Sequence, residues 1–205
     1  MVKERRATVA TFAIALLVCL GLGSNRHASG GGDDDHDDAA GPRRIRKCGE
    51  ITEPGSYVLV RNLFAQSPRS CIKISARYVT LDLAGFAIIG LGDRVPGFRA
   101  IWVEPLQGFE GIAVRNGSVQ NFYDGVALEG AAGSSVESMR VVFNLNHGIS
   151  LHTGLAKGNT IWANGVGVKC IASLLVHNVF HFGNTVNVED VFNNCTLADN
   201  GPPAP

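Results

Sequence analysis

Short apolar runs separated by glycine and asparagine fill the chain from residue 48 onward. A tetrad of small, apolar, any and apolar residues recurs at intervals of 19 to 29 residues. Its copies are Cys71-Ile72-Lys73-Ile74, Ala100-Ile101-Trp102-Val103, Gly125-Val126-Ala127-Leu128, Gly148-Ile149-Ser150-Leu151 and Gly167-Val168-Lys169-Cys170. A period of this length with several short strands in it is typical of one turn of a solenoid, whereas the glycines disfavour helices.

The pattern therefore predicts an all-β fold, a single-stranded right-handed parallel β-helix of about six coils over residues 48–205. Alternate residues of each strand would point inward, so that equivalent tetrad positions form apolar columns along the axis. The first such column is Ile72, Ile101, Val126, Ile149 and Val168. A globular β-sandwich with chance repetition is the alternative.

Asparagines precede three of the tetrads. Asn121 and Asn144 each stand four residues before a tetrad glycine, and Asn164 stands three before one. Since asparagine tolerates left-handed backbone and its amide bonds to neighbouring backbone, we expect these residues at the corners of the coils, each hydrogen-bonded to its copy in the next coil.

The N-terminal residues indicate a targeting signal and a linker rather than a folded domain. Lys3, Arg5 and Arg6 precede an apolar run that ends at Gly21-Leu22-Gly23, which is the pattern of a secretory signal peptide over residues 1–23. Residues 24–47 hold an aspartate run followed by a basic run and no apolar period, which predicts a disordered charged linker. The protein would then be secreted or periplasmic, in the cell envelope, with no stable membrane span once the signal is cleaved; an uncleaved anchor is the alternative.

Four cysteines remain after such a cleavage, and an oxidising compartment favours disulfides over free thiols. Cys48 and Cys71 are 23 residues apart, and Cys170 and Cys195 are 25 apart, so each gap is about one coil. Residues one coil apart lie within disulfide reach, roughly 4.4–6.8 Å between Cα atoms. Of the three connectivities, we therefore expect Cys48–Cys71 and Cys170–Cys195, near opposite ends of the solenoid.

Charge and composition limit the classes of partner that the protein can bind. The formal net charge is zero and only 18% of residues are charged, so the broad basic surface of a nucleic-acid-binding protein is missing. We expect no nucleic-acid partner, no cofactor and no metal, and the oligomeric state stays open.

Several segments resemble the pectin-lyase-like superfamily of right-handed parallel β-helices, specifically its short secreted bacterial members. The resemblance covers about residues 48–200 and is carried by Pro54-Gly55-Ser56-Tyr57-Val58-Leu59, Asn62-Leu63, Cys71-Ile72-x-Ile74, Val79-Thr80-Leu81-Asp82-Leu83-x-Gly85-Phe86-x-Ile88-x-Gly90 and Val114-Arg115-Asn116-Gly117-Ser118-Val119. It implies the fold but not the activity, because that superfamily includes lyases, hydrolases, epimerases and binding proteins. The Asp-Asp, Gly-His-Gly and Arg-x-Lys signatures of its hydrolases are missing from this region.

Stacking would still gather distant polar residues on one outer face. Position by position, Arg99, Asp124 and His147 fall in one column, and Glu104, Glu129 and His152 fall in another. Two glutamates about one strand spacing apart resemble the carboxylate pair of retaining glycosidases. The candidate catalytic residues are Glu104, Glu129 and His147, and the candidate ligand-binding residues are Arg99, Trp102, Asp124 and His152.

The leading functional hypothesis is a non-catalytic protein that binds an extended polysaccharide along its outer sheet, where an outward Trp102 suits stacking on a sugar. The alternatives are a polysaccharide lyase or glycoside hydrolase with a non-standard carboxylate site, and a purely structural envelope module whose charged ladders only solvate the surface.

Overall fold

The structure is a computed structural model that describes residues 41–66, 70–92, 96–105 and 107–201. These residues contain no helix and form 21 short strands. The strands are Arg43–Ile45 (β1), Gly49–Ile51 (β2), Gly55–Leu59 (β3), Leu63–Phe64 (β4), Ile72–Ile74 (β5), Val79–Asp82 (β6), Ala87–Ile89 (β7), Arg99–Val103 (β8), Phe109–Glu110 (β9), Ala113–Gln120 (β10), Asp124–Leu128 (β11), Ala131–Ala132 (β12), Ser135–Val142 (β13), His147–His152 (β14), Leu155–Lys157 (β15), Thr160–Trp162 (β16), Val166–Ile171 (β17), Leu174–Val176 (β18), Val179–Phe180 (β19), Val186–Asp190 (β20) and Thr196–Ala198 (β21).

Strands of successive turns pair in parallel and build two long sheets. Sheet A runs in the order β1-β3-β6-β10-β13-β15-β18-β21, with β4, β7, β16 and β19 alongside, and sheet B runs β2-β5-β8-β11-β14-β17-β20. Strands β9 and β12 form a small third sheet. The chain is thus a parallel β-solenoid of about six turns, which confirms the predicted fold class. Within the described ranges, no helix has the length and apolar character needed to span a membrane.

The core consists of apolar columns that run the length of the solenoid. The five residues of the predicted inward column are aligned strand to strand and are at most 1% exposed. A second column in sheet A aligns Tyr57, Leu81, Val114, Val136, Ala156, Leu175 and Leu197. Because successive turns stack at one strand spacing, about 4.8 Å, each apolar residue packs on its equivalent above and below.

The solenoid begins before the predicted boundary at residue 48. Strand β1 pairs with β3, and Arg43 lies beneath Tyr57, whose hydroxyl accepts a hydrogen bond of 2.8 Å from the Arg43 guanidinium. The prediction of a disordered linker is therefore wrong for residues 43–45. That prediction relied on the run of charged residues, but an edge strand tolerates charged side chains that an interior strand would not. The predicted signal peptide, residues 1–23, and residues 24–40 lie outside the described residues.

Both predicted disulfides are present. Cys48 joins Cys71 with 4.5 Å between their Cα atoms, and Cys170 joins Cys195 with 6.4 Å between theirs. Each bond links neighbouring turns, one at the first turn and one at the last. The cross-links therefore fasten the two ends, where a turn has a stacking partner on one side only.

Glycine occupies the small position of three tetrads because another backbone lies against it. A Cβ on Gly125 would collide with the carbonyl oxygen of Gly148, and one on Gly148 would come within 2.7 Å of the carbonyl oxygen of Gly167. The same Gly148 Cβ would lie 3.2 Å from the amide of Asn164. The small residue of the repeat is thus fixed by contact between turns and by the asparagine that lies inside the corner.

Buried asparagines form a hydrogen-bonded ladder at that corner. Asn144 donates through its side-chain amide to Oδ1 of Asn164 at 2.9 Å, and Asn164 donates to Oδ1 of Asn184 at 3.1 Å. Asn121 has the left-handed backbone predicted for a corner, with a φ of 63°. The expected hydrogen bond from Asn121 to its copy is wrong, because the backbone N–H of Phe122 donates to Oδ1 of Asn144 and Phe122 holds that position in the ladder. A second ladder consists of Asn159, Asn178 and Asn200.

Replacing Gly148 by alanine should destabilise the fold by about 1–3 kcal/mol, because the new Cβ has no space between two turns. Chemical denaturation of the variant checks this. Gly49→Ala is the matched control, since no atom lies within 4 Å of a Cβ at that strand position. Equal stability of the two variants would contradict the proposed contact.

Replacing Asn164 by alanine should cost about 2 kcal/mol or more, because the backbone N–H and side-chain amide of Asn144 both lose their acceptor in a buried place. Asn187→Ala, which removes one exposed hydrogen bond, should change the free energy of unfolding by less than about 0.5 kcal/mol. Urea unfolding followed by circular dichroism measures both variants. A small loss at Asn164 would mean that water replaces the ladder.

Candidate functional site

The outer face of sheet B carries the predicted polar columns. Arg99 aligns with Asp124, and Asp124 stands one turn below His147. In the neighbouring column, Lys73, Trp102, Ala127, Ser150 and Lys169 follow one another, extended by Glu50 at one end and Glu189 at the other. Alternation along parallel strands places these side chains on one face, as expected.

Asp124 is the centre of a polar cluster on this face. The carboxylate is buried, at 7% exposure, and its Oδ1 accepts a hydrogen bond of 2.9 Å from the side-chain amide of Asn146. The ring nitrogen Nδ1 of His147 lies 3.1 Å from the same oxygen, and the guanidinium Nε of Arg99 lies 3.4 Å from Oδ2. On its other side His147 approaches Glu189, with 3.6 Å between Nε2 and Oε2. The imidazole thus bridges two carboxylates from different turns.

This environment lowers the pKa of Asp124 below its ordinary value. Burial is the largest single influence and opposes ionisation, but the hydrogen bonds from His147 and Asn146, with the charge of His147, together outweigh it. Asp124 is therefore an anion at neutral pH and holds Arg99 and His147 in place. Its oxygens are already engaged by these neighbours, which suits a positioning role better than proton transfer.

Trp102 points outward, as predicted, but it is half-buried rather than free. The guanidinium carbon of Arg99 lies 5.2 Å from its ring centroid, and the ammonium of Lys73 lies 5.5 Å from it. Both cations are within cation–π range. They fix the indole on the sheet surface and surround it with hydrogen-bond donors.

The two candidate glutamates turn to different partners. Glu104 lies 3.3 Å from the ammonium of Lys73, and Glu129 lies 3.1 Å from that of Lys169. The paired register of β8 and β11 ends at Trp102 and Ala127, and the carbonyl oxygen of Glu104 lies against Gly130. The described contacts therefore give each carboxylate its own cation and bring no common partner to both.

Of the seven predicted site residues, the structure gathers Arg99, Trp102, Asp124 and His147. His152 is exposed, and its side chain makes no ion pair with any residue in the described ranges. Glu129 pairs with Lys169 instead of His152.

Sequence reasoning missed Asn146 and Glu189. Asn146 could have been found because it is adjacent to His147 in the sequence. Glu189 could not, because placing it on this face requires the alignment of the coil that follows the last tetrad, Gly167–Cys170. Three groups that could ligate a metal lie within 4.8 Å of one another in the described ranges, on Cys170, Asp190 and Cys195, and the two cysteines there are bonded to each other.

A groove of about 760 Å³ opens beside Trp102 at the first turns of the solenoid. Its walls come from the segment before β2, from the segment around β4 and from β5. The charged and aromatic lining residues are Arg46, Lys47, Arg61, Phe64, Lys73 and Trp102. Apart from β5 and Trp102 of β8, these segments lie outside the recurring tetrads, so the repeat pattern does not predict the groove.

Comparison with protein-family models, curated proteins and solved structures finds no match to this chain.

The buried Asp124 should make stability depend on pH in the acid range. Because the pKa of Asp124 is lower in the folded than in the unfolded protein, its contribution is complete above the ordinary value of 3.8 and is lost as pH falls through the folded pKa. Asp124→Asn should therefore cost most at neutral pH, and the cost should shrink on acidification. Unfolding measured from neutral pH down to about pH 2 checks this.

The matched control is Asp199→Asn, because Asp199 also faces a histidine, at 3.3 Å from His177, but its side chain is 78% exposed. We expect little change in stability at any pH from this variant. A loss at Asp124→Asn that is constant over the whole range would contradict the electrostatic explanation.

Proposed function

We propose that this protein binds an extended glycan along the outer face of sheet B and does not cleave it. The observation that carries the proposal is Trp102, a half-buried indole on the polar outer face of sheet B with the cations of Arg99 and Lys73 5.2 and 5.5 Å from its ring centroid. An aromatic ring surrounded by donors offers a sugar both a stacking surface and hydrogen bonds, which is the usual composition of a ligand site.

The shape of the face supports a long ligand. The polar columns run across successive turns at one strand spacing, so donors and acceptors repeat along the solenoid axis rather than converge on one point. A polymer with a repeating unit presents its own groups in the same way. The groove beside Trp102 gives this track a deeper end, with a volume that suits a few sugar residues.

The ion pairs support binding rather than catalysis. A glycosidase needs one carboxylic acid that keeps its proton and a second carboxylate close by. Here Lys73 and Lys169 each neutralise one of the two candidate glutamates, Glu104 and Glu129. Each carboxylate is therefore held in an ion pair with its own lysine, and no common partner among the described residues brings the two together around one glycosidic bond.

We further propose that the protein works outside the cytoplasm and is a divergent member of the pectin-lyase-like superfamily. Two disulfides are typical of an oxidising compartment, and the signal-like N-terminus accords with export. The parallel solenoid and the segments quoted in the sequence analysis support this membership, although no family model matches the chain.

Trp102→Ala should weaken glycan binding by about tenfold or more, since aromatic anchors contribute most of the energy of such contacts. The measurement is titration against a panel of neutral and acidic polysaccharides, with assays for new reducing ends and unsaturated products. Trp162→Ala is the control, because the other tryptophan packs on Phe143 and does not lie in the Trp102 column. Unchanged affinity in folded Trp102→Ala would contradict the site, product release would favour an enzyme, and no binding at all would favour a structural module.

A further inference from the structure

The groove beside Trp102 has a one-sided charge. Of the residues that the structure describes, four cationic side chains line it, Arg46, Lys47, Arg61 and Lys73, and no aspartate or glutamate does. We propose that this groove binds the anionic groups of an acidic glycan, and that the same glycan continues over Trp102 onto sheet B. This inference rests on the proposed function and names the class of polysaccharide.

Three of the four cations lack a local counter-charge. Lys73 is paired with Glu50 at 3.1 Å and with Glu104 at 3.3 Å, so it brings little net charge to the groove. Arg46, Lys47 and Arg61 form no ion pair with any of the residues that the structure describes. An anion that enters the groove therefore meets three positive charges that no carboxylate of the described chain neutralises.

The chemistry of these cations favours carboxylate and sulfate oxyanions as ligands. Two of the unpaired cations are arginines, whose planar guanidinium offers paired N–H donors that match carboxylate or sulfate oxygens. Arg46 and Lys47 precede Cys48, and Arg61 precedes Leu63 of β4, so the cations enter from two different segments. The Cys48–Cys71 disulfide lies in the lining and ties the first of these segments to the next turn.

A sugar polymer fits this surface better than a nucleic acid or a membrane. The groove gathers its cations in a chain of zero net charge, whereas those partners require a broad basic surface. Trp102 belongs both to the groove and to the outer face of sheet B, so the anion-binding end continues into the surface proposed to stack on sugar rings. The carboxylates of uronic acids and the sulfates of sulfated sugars offer the same chemistry to the groove.

The test compares wild type with Arg46→Gln/Arg61→Gln in the full chain. The probes are polygalacturonate, dextran sulfate and unmodified dextran, titrated at low and at physiological salt. We expect the double variant to bind the two anionic polymers about tenfold more weakly than wild type and with a shallower dependence on salt. The two anionic probes tell carboxylate from sulfate recognition.

Arg140→Gln/Lys157→Gln is the control of equal charge. Both residues are exposed on sheet A, in β13 and β15, and neither forms an ion pair within the described ranges. This variant should bind as wild type does. If the two double variants weaken binding equally, or if dextran binds as tightly as the anionic polymers, the groove is not an anion site, although the proposed function stands.

Failure of the proposed function gives a different result, in which none of the three polymers binds to wild type at either salt concentration. Single-stranded DNA serves as a further probe. If it binds as tightly as the anionic glycans and is equally weakened by Arg46→Gln/Arg61→Gln, then the groove recognises polyanions in general and the assignment to a glycan is wrong.

Discussion

Parallel backbone pairing between successive turns is the interaction on which the rest of the molecule depends. It sets one axial spacing for every side chain, so each residue meets its equivalent from the turn above and the turn below. That repetition is favourable only where a side chain packs well on a copy of itself. Aliphatic residues do so by burying apolar surface, and asparagine does so because its amide has both a donor and an acceptor.

The asparagine ladder shows how local backbone needs are met within this constraint. Turns leave backbone N–H groups without a strand partner, and a buried N–H of this kind is costly. Oδ1 of Asn164 accepts from the backbone N–H of Asn144, and its Nδ2 donates to the carbonyl oxygen of Val141. Every buried side-chain nitrogen and oxygen in the described residues has such a partner. The ladder therefore replaces the strand pairing that the corner interrupts, and the tetrad glycine of the preceding turn leaves room for it, as Gly148 does for Asn164.

The fold was predictable because its information is short-ranged and repeated. Spacing between tetrads placed Ile101 against Val126 and Cys48 against Cys71 without knowledge of the loops. The hydrogen bond expected of Asn121 was mispredicted because Asn121 and Asn144 both stand four residues before a tetrad glycine. Phe122, not Asn121, nevertheless lies inside the corner. Phe122 packs there on Phe98, with 4.9 Å between ring centroids, and an aromatic pair fills the space that amides fill one turn later. Spacing does not tell these two solutions apart.

The site was predictable only as far as the backbone decides it. Column assignment placed Arg99, Asp124 and His147 together because aligned residues are neighbours whatever their side chains do. It did not decide partners for long side chains, since a lysine reaches acids in adjacent columns and turns. Lys169 thus contacts Glu129 from two turns away, although His152 shares a column with Glu129. The groove was not predicted because three of its four cations, Arg46, Lys47 and Arg61, stand on non-repeating segments.

Rigidity connects this architecture to recognition. The proposed binding surface is made of paired strands, its indole lies between two cations and its buried carboxylate is held by three neighbours. Few of its side chains would therefore have to be ordered by a ligand. Ordering side chains costs free energy on binding, so a surface that is already fixed keeps more of the energy of each contact. The same ion pairs hold Glu104 and Glu129 to different lysines, whereas a glycosidase needs its two carboxyl groups on either side of one bond. This arrangement accords with the proposal that the face holds a polymer without cleaving it.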